Sequence, residues 1–170
     1  MRDGRDGRTL LADLALGAAA GTAATWIMGQ ATSYLYEHED PLAREREDMA
    51  RGGKTAYGIA AEKMAGAIGQ RLSDGQRQKL GAGIHWALGA GAGAAYAALR
   101  RRVHWADAGQ GLAFGATFFA LMDEGANTAL GLTPAPAAFP WQAHARGLAG
   151  HLVYGVVTDT LLDAAERVRH

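Results

Sequence analysis

The chain contains no cysteine, and that absence alone removes disulfide frameworks, thiolate metal sites and cysteine nucleophiles. It also has no net charge, because 17 Lys plus Arg offset 17 Asp plus Glu. No global field draws in a polyanion, so nucleic acid is not an expected partner. Proline is scarce, with four residues in all. Apart from Pro41 they fall between Gly131 and Trp141, a stretch that must break any helix running into it. There is no Walker-type phosphate loop, no G-x-G-x-x-G after a strand and no G-x-S-x-G elbow, so nucleotide-binding and hydrolase signatures are missing and the sequence names no cofactor.

What the chain has in excess is small residues. Glycine numbers 24, and with alanine it makes up roughly a third of the chain, well above ordinary usage. In water that much glycine weakens helices by about 1 kcal/mol per interior site relative to alanine and leaves little side-chain area to bury. In lipid, small residues are a normal means of holding helices together. A length of 170 residues suits one domain. The mean hydropathy of -0.09 is low for a membrane protein, and a charged segment after the first apolar run accounts for it.

The hydropathy pattern predicts an all-α polytopic membrane protein: four transmembrane helices plus an amphipathic interfacial helix in the first loop. Residues 1–9 read as a solvated tail and 10–170 as a single membrane domain. Spans are expected at about 10–36, 81–99, 108–130 and 144–165, each near the length needed to cross roughly 30 Å of hydrocarbon. The polar insert 37–80 opens with Glu37, His38, Glu39 and Asp40, read as a solvated acidic turn. It then places Tyr57, Ala61, Met64, Ile68 and Leu72 at spacings of three and four, the stripe of an amphipathic helix on the membrane surface or the bundle. Ser73 and Asp74 punctuate before the second apolar run. Trp26, Trp86, Trp105 and Trp141 read as anchors near span ends or packing faces.

Charge placement gives an independent expectation of topology. With four spans, Arg2, Arg5 and Arg8, the run Arg100 to Arg102, and Arg167 and Arg169 all lie on one side. By the positive-inside rule that side is the cytoplasm, so both termini are expected there, with the lipid bilayer as the principal partner. Gly17, Gly21, Thr25 and Gly29 form a row at spacing four in the first span, and Gly89 with Gly93 and Gly111 with Gly115 repeat G-x-x-x-G in the second and third. Such rows admit close helix contacts, within the subunit or with another copy or another membrane protein.

From about Ile84 to the C-terminus a further pattern emerges. His85 stands early in the second span with Tyr96 eleven positions later, and Gln110 and Gly111 open the third. Gly131, Leu132, Thr133 and Pro134 follow, then Pro140 and Trp141, then Gly150, His151, Leu152 and Val153, with Asp159 eight positions beyond His151. In order and spacing these residues resemble the YagU-like family of uncharacterised bacterial inner-membrane proteins. The resemblance implies a location in the bacterial inner (plasma) membrane, and it supplies no reaction.

Polar groups at membrane depth are expensive and so become site candidates: His85, Asp123, Glu124, Asn127, His151 and Asp159. His144, His151 and Asp159 share one face of the fourth helix. Three readings stay open. The groups pair across helices and fix the bundle; they relay protons or ions; or His85, Asp123, His151 and Asp159 supply metal or haem ligands, although no H-x-x-x-H or E-x-x-H spacing sharpens that reading. The expected role is that of a non-enzymatic structural or accessory bundle component, with proton or metal handling as the alternative.

Overall fold

A computed structural model describes residues 3–100, 102–103 and 106–169; Arg2, Arg101 and Trp105, and the side chains of Arg5, Arg8 and Arg169, lie outside the described residues. Among the described residues every regular element is helical. The order is α1 (Asp3–Glu37), α2 (Pro41–Arg51), α3 (Ala56–Ala67), α4 (Asp74–Leu99) and α5 (Leu112–Phe119). A π-helical segment (Ala120–Ala126) and α6 (Asn127–Ala129) continue α5 without a break, and a 3-10 turn (Pro136–Ala138) leads into α7 (Trp141–Arg169).

Local chemistry sets these boundaries. The Asp40 carboxylate accepts from the backbone N–H of Leu42 at 3.0 Å and of Ala43 at 3.1 Å, and Pro41 needs no partner in a first turn, so α2 begins there. Gly52 closes it in the left-handed region at φ 58°. Within the acidic turn of the sequence reading, Asp40 is therefore a helix cap, while Glu37 ends α1 and Glu39 pairs with Arg146. Ser73 and Gln76 form a reciprocal capping box, which carries the polar stretch after Asp74 into α4, well ahead of the apolar run at Gly81.

The insert differs from the expected single amphipathic helix. It holds two helices, and α3 ends at Ala67, so Ile68 and Leu72 lie beyond it. The face of α3 turned inward is small, with Ala56, Gly58, Ala61 and Ala65 buried against α4, whereas Met64 and Ile68 are exposed. The stripe rule looks for large apolar residues. Here close backbone approach selects small ones instead, since a Cβ on Gly81 of α4 would sit 3.0 Å from the Gly58 nitrogen.

The same selection places the long helices. α1 packs along α4 and α7, and α5 packs on α7. At the first crossing a Cβ on Gly17 would come 2.5 Å from the Gly93 carbonyl oxygen, one on Gly93 would come 2.6 Å from Gly21 Cα, and one on Gly89 would collide with the Thr25 hydroxyl. The second crossing sets Gly111 and Gly115 against His151 and Gly155: a Cβ on Gly111 would lie 2.7 Å from the Gly155 carbonyl carbon, and one on Gly115 2.9 Å from that of His151. Gly111 also needs its φ of 85° for the turn that starts α5. Gly29 takes no part, because a Cβ there would meet nothing within 4 Å among the described residues. At this level α1 meets α7 through Met28 and Thr32, which flank Gly150, and Gly29 has turned off the contact face.

Tyr154 locks the three longest helices together by donating from its hydroxyl on α7 to the Gly89 carbonyl of α4 at 2.6 Å, beside Gly21 of α1. Taken singly, one described helix, Leu10–Glu37, is long and apolar enough to cross a membrane. The others are interrupted by polar groups: the charged start of α4, Asp123 and Glu124 in the π segment, and Arg146, Asp159 and Asp163 in α7.

α2 is tied to α7 by charge. Arg146 of α7 pairs with Glu39 and with buried Glu47, and Arg51 also reaches Glu47, at 2.7 Å. Burial alone would raise the Glu47 pKa, but the hydrogen bonds from Arg146 and Arg51 outweigh it and hold the carboxyl below its ordinary 4.5. With the folded value depressed, this stabilisation is full above about pH 4.5 and fades as the pH falls through the folded value.

Two outcomes are expected. Gly93→Val drives a side chain into the α1 backbone and should cost at least about 1–3 kcal/mol, whereas Gly29→Ala should leave the melting temperature of the detergent-purified protein unchanged or slightly higher. Limited proteolysis across pH 7 to 3 should find α2 protected at neutrality and increasingly cut in acid, with Glu47→Gln open to cleavage already at pH 7.

Candidate functional site

The ends of α1, α4 and α7 that lie farthest from the chain termini, together with α3, the π segment and the proline loop, enclose a cavity of about 320 Å³. Each wall has a local cause. The π segment closes its turns one residue late, as in the bond from Asn127 N–H to the Met122 carbonyl, and presents Asp123 and Glu124 on the inner wall. The proline loop folds back so that its Pro136 carbonyl meets His144 Nε2 at 3.1 Å. His144 Nδ1 faces Glu124 Oε1 at 2.6 Å, which makes this ring the clasp between the π segment and α7.

Asp123 is held more loosely. Asn127 Nδ2 donates to its Oδ1 at 3.4 Å, and His151 Nδ1 lies 3.8 Å from its Oδ2, beyond hydrogen-bond reach. His151 is buried and donates from Nδ1 to the Gly147 carbonyl at 2.9 Å. A carbonyl only accepts, so Nδ1 carries a hydrogen, and Nε2 is the ring nitrogen left outside this bond. His85 makes ring contacts, with Tyr57 at 4.7 Å and Trp86 at 6.4 Å. Burial, with the Asp123 charge as a smaller cause, pushes the Tyr57 hydroxyl up to about 12, so it stays protonated across physiological pH. A narrower cleft continues inward from this chamber past Tyr57, His85 and His151 to Tyr154.

Of the sequence candidates, His85, Asp123, Glu124, Asn127 and His151 thus line one chamber, and Asp159 does not. Asp159 lies near the other end of the bundle, where it accepts from the Tyr96 hydroxyl at 2.6 Å and pairs with Arg100 at 3.0 Å; Arg100 also pairs with Asp163. Between the two groups lies a layer of rings. Tyr96 meets Phe114 at 4.6 Å, Phe118 meets Tyr154 at 5.5 Å, and Phe118 meets His151 at 5.1 Å. No group of three or more His, Asp and Glu side chains among the described residues is arranged to hold a metal ion, so the four proposed ligands do not form one set.

The sequence reading did not place Tyr57, Arg51, His144 or Arg146 at the site, nor Glu47 as the carboxylate that holds its two arginines. The signals were present but weak. Glu47 and Arg51 are an i, i+4 pair, and Arg146 is the only Arg or Lys between Trp141 and Glu166.

No curated protein and no solved structure matches the chain. The family model described as "Protein of unknown function (DUF1440)" matches residues 55–160. That stretch begins at the cap of α3, earlier than the resemblance read from Ile84, and takes in α4, α5, the π segment, α6 and most of α7 while leaving out α1 and α2. With more than half of its length matched, the chain belongs to the DUF1440 family of proteins of unknown function.

Proposed function

We propose that the chain is an integral inner-membrane protein that crosses the bilayer four times, with both termini in the cytoplasm, and that it acts as a structural or accessory helical-bundle component. One observation carries this reading: apolar size is distributed inside out. The buried apolar residues among those described are alanines, Tyr96, Tyr154 and Leu162, whereas Trp26, Leu121, Leu130 and Leu148 are among many large apolar side chains that stay exposed. A water-soluble domain of this size gains its stability by burying such side chains. A bundle in lipid gains little from burying them and relies on backbone contact instead.

The charge pattern fits the same reading. Exposed Arg102 follows α4 at the end of the bundle shared with the termini, and the chamber opens at the other. The cross-helix links Tyr96–Asp159–Arg100, Tyr154–Gly89 and Arg146–Glu47 behave as interhelical fasteners. They also leave room for oligomer contacts on the exposed faces. A proton relay through the bundle would have to pass the ring layer between Tyr96 and His151, a step the bundle-component reading does not need.

Because the chain lacks cysteine, single cysteines report topology cleanly. Glu45→Cys in α2 should react with a membrane-impermeant maleimide in intact spheroplasts, and Arg102→Cys only after permeabilisation. Labelling of both positions from the same side, or release of the protein from membranes by alkaline carbonate, would overturn the reading.

A further inference from the structure

The chamber has an uneven charge account. Arg51 and Arg146 are already matched by Glu39 and Glu47, and Glu124 is clasped by His144. Asp123 has no Arg or Lys in ion-pair contact among the described residues; its partners are the long contact to Asn127 and the more distant His151 ring. The Asp123 side chain is about a third exposed and lines the open chamber, where water or a ligand can complete its coordination.

The groups beside it narrow the chemistry of such a ligand. His151 and Asn127 stand on the same lining; His151 commits Nδ1 to Gly147 and Asn127 its Nδ2 to Asp123, which leaves the other ring nitrogen and the carboxamide oxygen outside these bonds. Asp123 is the lining carboxylate left without a cationic partner among the described residues. Tyr57, Phe119 and Phe139 also line the cavity; Phe119 lies beside Asp123 and Phe139 lies under the Arg51 guanidinium, so the Tyr57 and Phe119 rings are the ones that can attract a further positive charge or stack on an apolar stem. A volume of about 320 Å³ is at the lower end of small-molecule sites. An anion would find both arginines occupied, and a bare metal ion would find no third ligand of the right kind.

We infer that this chamber binds a small organic cation, a protonated amine on a short apolar or aromatic stem, with Asp123 as its counter-ion and His151 and Asn127 as acceptors for its remaining N–H groups. The inference rests on the chamber and not on the number of spans, which the cysteine labelling tests separately.

The test is calorimetric titration of the detergent-purified full chain with phenethylamine and with 1,4-diaminobutane, against 2-phenylethanol, succinate and empty micelles. Saturable binding of at least one amine is expected, with 2-phenylethanol and succinate no better than the blank. Asp123→Asn, checked for an unchanged helical spectrum, should weaken amine binding at least about tenfold. Equal binding of 2-phenylethanol, stronger binding of succinate, no saturable binding of either amine, or unchanged affinity in Asp123→Asn would each overturn the assignment. Should that variant fail to fold, the comparison of amine with alcohol on the natural chain decides alone.

Discussion

The backbone-to-backbone approach of α1 and α4 at Gly17, Gly21, Gly89 and Gly93 is the constraint on which the remaining geometry hangs. With only the Thr25 side chain set between them, against Gly89, the two helices sit close enough for Tyr154 of α7 to reach the Gly89 carbonyl. That bond in turn fixes α7, and α7 carries both His151 and Asp159. The second glycine crossing, Gly111 and Gly115 on α7, then hangs α5 and the π segment from the same helix. A shift of an ångström at the first crossing would propagate to every wall of the chamber, because packed backbones offer no rotamers to absorb it.

The polar groups divide accordingly. Near the termini, Tyr96, Asp159, Arg100 and Asp163 satisfy one another and leave little reactivity unspent. At the opposite end the pairing is incomplete among the described residues: Asp123 has only long contacts, and one carboxylate oxygen of Glu39, Oε1, is buried without a hydrogen-bond partner. Saturation at one end and deficit at the other is what separates a fastener from a site when the residue types are the same.

Helix class and the positions of the two glycine crossings could be read from the chain, because spacing at four residues is a property of one helix and needs no knowledge of its neighbours. The partners could not. Gly81, His85, Gly89 and Gly93 form one row in sequence, yet its first half meets α3 and its second half meets α1. Likewise His144, His151 and Asp159 share a face of α7 but serve two ends of the bundle. α2 gives little sequence signal because Leu42, Ala43, Met49 and Ala50 are its few apolar residues among Arg, Glu and Asp; its docking rests on polar contacts that only the fold reveals, chiefly buried Glu47 with Arg146 far along the chain, together with Asp48 on the Tyr36 hydroxyl.

The π segment gives the third helical stretch two frames of reference. Gly111 and Gly115, upstream, keep step with α7 in ordinary helical register, while Asp123 and Asn127, downstream of its start, are phased by the late closure of Ala120–Ala126. Contact surface and binding wall are thereby uncoupled along one continuous rod. A single-residue deletion there would let the rod wind evenly again and rotate everything beyond it, so the chamber exists only as long as the helix carries one residue more than its packing requires.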